Sequence, residues 1–395
     1  MDTVSSASGE RFSLVVGGPF HSVMHRLGLT TADQLPTQRA AFVLALLVWL
    51  LPALLVVVQS LVDDDYSGWG YFSDWTVYTR YLVAIWIMIA TERYADDRLS
   101  TLTQQFRAAR IIPNDELPAF KSALANADRR SGSALAESLI LAAVLIWSGL
   151  TAHYSVLLSG VGWDGSVVAG ESLLSWAGEA TRYISTPLFL FLVLRWVWRF
   201  LVWTGLLYRF SRLSLQLMPL HPDHSGGLGF LASFPGIFSG FIFALSCVVA
   251  SEMIKELGFL EEHTAQIVWF ALTGWLVMSV ALVIGPLLAF VKPLYTMRER
   301  ALIEYGRLAS QHHLAFHHRW IDEGRNDDEL IRSEDISLAS DLNDIIEVVQ
   351  QLRYIPVDFP AVLQSVIAAS VPLLFVVATL IPIGEILKWL VGSVL

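Results

Sequence analysis

Residues 40–60 read AAFVLALLVWLLPALLVVVQS, twenty-one consecutive positions without an ionisable side chain. A helix rises about 1.5 Å per residue, so this run reaches roughly the 30 Å of a bilayer's hydrocarbon core. Six further runs are predominantly apolar: Thr76–Thr91, Ala134–Ser159, Ile184–Tyr208, Phe230–Ala250, Ile267–Val291 and Pro360–Ile381. They are continuous rather than alternating, which excludes a barrel. Helices then follow, because in hydrocarbon every backbone polar group must find its partner within the segment. The expected fold is all-α: a polytopic transmembrane helix bundle of about seven spans with helical extensions outside the membrane.

Composition agrees. Of the 395 residues 54% are apolar and 16% charged, whereas soluble domains carry about 25% charged residues. Fourteen tryptophans suit a protein with two membrane interfaces. A lone cysteine, Cys247, rules out an internal disulfide and any cysteine-based zinc or redox framework. The formal net charge of −10 excludes a generally basic nucleic-acid binder. The first apolar run begins too far into the chain for a usual signal peptide and lacks a small-residue cleavage site, so it is expected to remain as a span.

Basic residues orient the bundle. Seven spans put residues 1–39, 92–133, 209–229 and 292–359 on one side, and these hold 20 of the 26 Lys and Arg. The other side holds Arg80, Arg182, Lys255 and Lys388. Because cytoplasmic loops are enriched in Lys and Arg, the N-terminus is placed inside and the C-terminus outside. The chain thus divides into a cytoplasmic segment 1–39, spans one to six over 40–291, a cytoplasmic segment 292–359, and a last span with an outer tail over 360–395. Within 40–291, residues 95–133 read as a polar helical hairpin turning at Pro113 and Asn114. A helix continuing the sixth span is expected over 294–323, then a turn through 324–328. A further helix, about Ser337 to Arg353, carries Ile336, Leu338, Leu342, Ile345, Ile346 and Val349 on one face and needs a partner. Residues 19–29 set Phe20, Val23, Met24 and Leu27 against His21, His25 and Arg26, a pattern suited to the membrane interface. No internal repeat is visible, so nothing points to an inverted-repeat transporter.

Two basic residues fall inside a span. Arg195 and Arg199 are four apart and share a helix face. If that span is Ile184–Tyr208, both sit deep, at about 2.5–3.5 kcal/mol each on insertion scales. Glu92 and Glu137 read as lying near inner helix ends, and Glu252 and Glu385 near outer ones. The arginines are therefore expected to face a wet cavity, an anion, backbone carbonyls or the rings of Trp196, Trp198 or Trp203. The competing reading starts the helix near Leu173, letting both arginines snorkel inward and burying Glu179 and Arg182.

The segment His221-Pro222-Asp223-His224-Ser225-Gly226-Gly227-Leu228-Gly229-Phe230 supplies a second candidate. Its glycines allow close backbone approach just before a helix, whose free N–H groups attract phosphate. His221, Asp223, Ser225, Gly226, Gly227 and Gly229 are the headgroup or phosphate-loop candidates. The alternative is a tight turn in which Asp223 or Ser225 caps the helix. No P-loop lysine follows, and two His with one Asp match no standard metal spacing.

This string, HPDxxGGLGF after an Arg/Trp-rich span, resembles a family of uncharacterised bacterial multi-span inner-membrane proteins. Asp335 to Leu342, Arg353 and Pro356 are similar to that family too. The resemblance implies a bacterial inner membrane and no particular activity.

His312, His313, His317 and His318 form a third group. The spacings of His313 to His317 and of His318 to Asp322 could ligate a metal or sense protons, and His313 and His317 are the pH-sensing candidates. A solvated polar helix face is the plainer account, and no metal or cofactor is expected. His153, Cys247 and Glu252 read as packing residues, and Pro52, Pro187, Pro286 and Pro372 as internal prolines of spans.

Three function classes stay open. One is an oligomeric channel or transporter with an anion-favouring pathway past Arg195 and Arg199. Another is a membrane scaffold or sensor signalling through its cytoplasmic helices. The third is a lipid-headgroup-binding or lipid-acting protein, ranked last as an enzyme because no nucleophile–base pair or paired intramembrane carboxylates are evident. The expected partners are the bilayer, further copies of the chain, and a small anion or lipid headgroup.

Overall fold

The computed structural model describes residues 12–30, 35–64, 66–159, 163–168, 171–257, 265–322 and 335–380. A short helix, α1 (Gly18–Arg26), precedes α2 (Gln38–Val62). The Thr37 hydroxyl starts α2 by accepting the Ala40 N–H at 3.0 Å, one of the donors that a helix's first turn leaves free. After a 3₁₀ turn at Gly68–Ser73, helical backbone runs from α3 (Trp75–Val77) through π-helical Tyr78–Ala84 into α4 (Ile85–Ala90) and α5 (Glu92–Ala108). Then come α6 (Leu117–Ser131), α7 (Ala134–Ser159), and a small antiparallel hairpin of β1 (Gly165–Val168) and β2 (Glu171–Leu174). Helix α8 (Trp176–Ala180) continues through a π turn at Thr181–Ser185 into α9 (Thr186–Phe210).

A 3₁₀ turn at Gly229–Ser233 leads into α10 (Phe234–Ile237) and α11 (Ser239–Leu257). Helix α12 (Ala265–Ile284) tightens to 3₁₀ at Gly285–Phe290 and continues as α13 (Val291–His317), which closes with a π turn at His318–Asp322. The last two helices are α14 (Asp335–Gln350) and α15 (Phe359–Leu380). The turn expected over 324–328 and the chain beyond 380 lie outside the described residues.

Among the described residues, six helical segments are long and apolar enough to cross a membrane: Gln38–Val62, Leu117–Thr151, Trp176–Phe210, Gly229–Lys255, Gln266–Asp322 and Phe359–Thr379. The molecule is a multi-pass helical bundle. The expected run Thr76–Thr91 is helical but is not one of the six. It holds Arg80 and passes directly into the charged α5, so its apolar stretch is short. Its apolar side chains are nevertheless central: Val77, Tyr81, Ala84, Ile85, Met88 and Ile89 are all buried.

The segments rich in Lys and Arg gather at one end of the bundle. The Gln216 N–H donates to the Ile111 carbonyl at 2.9 Å, and the Arg353 N–H to the His224 carbonyl at 2.8 Å. Ser214 N–H reaches Glu116 at 3.1 Å, and Trp198 Nε1 reaches the Arg130 carbonyl at 3.0 Å. An aromatic hub fills this end. Phe106 packs 5.0 Å from Phe210, 5.0 Å from Phe230 and 6.1 Å from Phe290, tying α5, α9 and the start of α13 together. Helix α14 lies on α13 through Ala301, Val349 and Leu352, so the amphipathic face has its partner. Leu338 on that face stays exposed. Helix α1 turns Phe20, His21 and Met24 into the protein and leaves Val23 and Leu27 exposed, so only part of its apolar face is free for an interface.

The opposite end is joined by its own contacts. Asp74 accepts from the Thr76 N–H at 3.0 Å, Trp163 Nε1 at 3.2 Å and Lys255 Nζ at 3.1 Å. Arg80 pairs with Glu252, and Trp176 N–H donates to Gln59 at 2.8 Å. Burial raises the Asp74 carboxyl pKa, but the bond from Thr76, the Lys255 ammonium and the bond from Trp163 outweigh it and hold the group below the ordinary carboxylate range.

Candidate functional site: a buried arginine and glutamate cluster beneath the N-terminal segment

The two arginines of α9 do not face an open cavity. Arg195 donates from Nη1 to Glu92 Oε1 at 2.6 Å and from Nε to Glu137 Oε1 at 2.8 Å. Arg199 donates from Nη1 to the same Glu92 oxygen at 2.8 Å. All four side chains are within a few per cent of complete burial. Two cations and two anions therefore make a neutral quartet, which is how buried charge becomes tolerable.

The expectation that no acidic residue lies at their depth is corrected here. The helix carrying the arginines begins at Trp176 rather than Ile184, so Arg195 and Arg199 lie beyond its midpoint, toward the basic end. Glu92 and Glu137 sit at that same end, Glu137 in the first turn of α7, where the helix dipole favours a carboxylate. The early start does not bury Glu179, which is exposed. Arg182 is half-buried and gives two bonds to the Thr151 carbonyl, at 3.2 and 2.8 Å. The tryptophan faces are not used either. Trp196 donates to the Met88 carbonyl at 3.0 Å and stacks on Phe241, while the Arg195 guanidinium lies 4.8 Å over the ring of Phe20.

Phe20 belongs to a segment that sequence reading treated only as interfacial. Residues 12–20 close the cluster. Phe20 N–H donates to Glu137 Oε2 at 2.9 Å, and the Val15 carbonyl accepts from Arg199 Nη2 at 3.3 Å. Beside them Asp96, almost fully buried, accepts from Leu14 N–H at 2.9 Å, Val15 N–H at 3.2 Å and the Ser13 hydroxyl at 2.7 Å. The sequence Val16-Gly17-Gly18-Pro19 permits this. Gly18 has φ +84°, and a Cβ there would lie 2.7 Å from the Glu137 carboxylate. That Gly-Gly-Pro string was the available signal, and it was missed.

In the second candidate, the anion position is taken by the chain itself. The Asp223 carboxylate accepts the N–H groups of Ser225 at 2.8 Å, Gly227 at 3.1 Å and Gly229 at 2.7 Å. His221 lies 2.9 Å from the same carboxylate. Gly226 and Gly227 have φ +66° and +96°, left-handed backbone that lets the loop wrap around the Asp223 carboxylate. Burial raises this carboxyl's pKa, but the bonds from Ser225, Gly229, Gly227 and His221 together hold it below the usual range.

The histidines of α13 are spread along its surface. His312 and His313 rings are 6.2 Å apart, and His317 lies 3.5 Å from Asp322, where spacing alone had suggested His318. Among the described residues, no three His, Cys, Asp or Glu side chains are placed to hold a metal ion. Glu252 is engaged by Arg80, and Cys247 is partly buried. The side chain of His153 lies outside the described residues.

The chain matches no family model, no curated protein and no solved structure. The resemblance of the 221–230 loop to a bacterial family therefore carries no further weight, and function must be argued from the geometry.

Proposed function

We propose that the protein is a seven-span inner-membrane sensor or scaffold, with its N-terminus and basic end in the cytoplasm and its C-terminus outside. In this reading the helix from Trp75 crosses as the second span, with one face buried among its neighbours and Trp75 and Trp86 left exposed. The bias of Lys and Arg toward one end supports the orientation. The working part is the cytoplasmic layer, and the arginine–glutamate cluster couples the N-terminal segment to it.

One observation carries this: residues 12–20 close the cluster, with the Phe20 N–H on Glu137 and the Val15 carbonyl on Arg199. Helix α9 then links that closure to the aromatic hub through Phe210, and the hub to the root of α13 through Phe290. An anion pathway past Arg195 and Arg199 has lost its motive, because both guanidiniums are already neutralised.

Two measurements on the full chain test the reading, labelling in intact cells and hydrogen exchange in lipid nanodiscs. With Cys247→Ala as background, a membrane-impermeant maleimide on intact cells should label Asp64→Cys and spare Ser214→Cys. The reverse pattern would overturn the orientation. Hydrogen exchange of Glu92→Gln should rise over residues 12–22 and also along α13 and α14. A change confined to 12–22 would refute coupling.

A further inference from the structure

A cavity of about 710 Å³ opens at the basic end between the end of α9, the strand of chain after it, and the first four turns of α13. That volume is in the range of small-molecule sites. Its walls have two characters. Leu213, Leu288 and Met297 give an apolar side, and Leu288 is about half exposed just where the α12 helix becomes α13. Three cations, Arg212, Lys292 and Arg300, stand around the rest, with one carboxylate, Glu304, among the lining residues.

The α13 contribution follows from helical spacing. Lys292, Thr296 and Arg300 recur every four residues, so they share one face, with the two cations about 12 Å apart along it. Arg212 reaches the cavity from two residues beyond α9, held by Tyr208, whose hydroxyl accepts its Nη2 at 2.7 Å and whose ring it covers at 5.1 Å. Arg212 is thus preorganised. Lys292 and Arg300 are exposed, and among the described residues no ion pair is formed by either. Lys292 follows directly on the apolar part of the run, and Arg300 lies about two turns farther along the polar part.

We propose that this cavity binds the phosphate group of an anionic amphiphile, with Arg212, Lys292 and Arg300 around the phosphate and the apolar wall beside Leu288 against its hydrocarbon. Three cations against one carboxylate favour a charged phosphate, and Arg suits it through paired N–H donors. The cavity shares no residue with the Glu92 cluster, so either site can fail alone.

The experiment uses purified full-length protein, delipidated in a neutral detergent and titrated by native mass spectrometry. The probes are phosphatidylglycerol, diacylglycerol and glycerol phosphate, against wild type and the triple variant Arg212→Gln, Lys292→Gln, Arg300→Gln. Wild type should bind phosphatidylglycerol at least tenfold more tightly than diacylglycerol, and the triple variant should lose that preference. A charge-retaining triple, Arg212→Lys, Lys292→Arg, Arg300→Lys, should keep most of it, which separates loss of charge from misfolding. Glycerol phosphate binding as tightly as the lipid would uphold the phosphate site and make its ligand a soluble phosphate ester. Equal phosphatidylglycerol binding by wild type and the glutamine triple, or no preference over diacylglycerol, would overturn the proposal.

Discussion

Glu92→Gln removes one negative charge while keeping the shape of the side chain, and it strikes the cluster at its most shared atom. A single Glu92 oxygen takes bonds from both Arg195 and Arg199, at 2.6 and 2.8 Å. After the substitution, two buried guanidiniums are left with Glu137 as the quartet's remaining carboxylate. Removing one partner of a buried pair costs about 3–5 kcal/mol, because the other charge is stranded away from water. Arg199→Met added to Glu92→Gln removes the stranded charge as well. The double variant should therefore be more stable than the two single losses summed, by about 1–3 kcal/mol. Equilibrium unfolding in mixed micelles with increasing dodecyl sulfate measures all four corners of the cycle. Glu92→Gln within about 0.5 kcal/mol of wild type, the range of an ordinary surface change, would refute the pairing. So would strict additivity.

Gly18→Ala should destabilise by about 1–3 kcal/mol in the same assay, since its backbone is left-handed and its Cβ would meet the Glu137 carboxylate. Exchange at the Phe20 amide should rise with it. Asp223→Ala frees three backbone donors at Ser225, Gly227 and Gly229, and should cost on the order of 1 kcal/mol, as losing a helix cap does. The Asp223 carboxyl is held below its usual range in the folded protein, so its contribution is complete above the unfolded value of about 3.9 and fades as pH falls through the lower folded value. The stability gap between wild type and Asp223→Asn should accordingly be constant from pH 7 to 5 and shrink in stronger acid. Val349→Asp, at a side chain with no exposure, should release α14 from α13 and open that helix to limited proteolysis without unfolding the bundle.

Apolar runs made most of the helices legible, down to Ala134–Ser159, whose limits match α7. The hairpin of α5 and α6 was readable from Pro113, and α14 from its repeating apolar positions. What failed was depth. Apolarity marks which residues a bilayer accepts, whereas a helix boundary depends on hydrogen bonds, and Ser175 caps α8 by accepting the Gly178 N–H at 2.9 Å. The helical run from Trp176 to Phe210 is therefore 35 residues, about 52 Å, longer than the hydrocarbon it crosses. That surplus carries Arg195 and Arg199 to the level of Glu92 and Glu137. The docking of residues 12–20 was invisible for a different reason: it rests on contacts more than eighty residues apart in sequence, such as Leu14 with Asp96.

The helical run Gln266–Asp322 has one further consequence, a mechanical one. Its 57 residues make a rod of about 85 Å at 1.5 Å per residue, against roughly 30 Å of hydrocarbon. The 3₁₀ stretch at Gly285–Phe290 changes the pitch of the ladder well before the π turn that ends the run, and it lies at the level of the cavity. Residues 291–322 form an arm of about 48 Å beyond that point, so a tilt of about 5° there moves the far end about 4 Å. Anything wedged between α9 and the root of α13 works at the short side of a lever whose long side carries the four histidines.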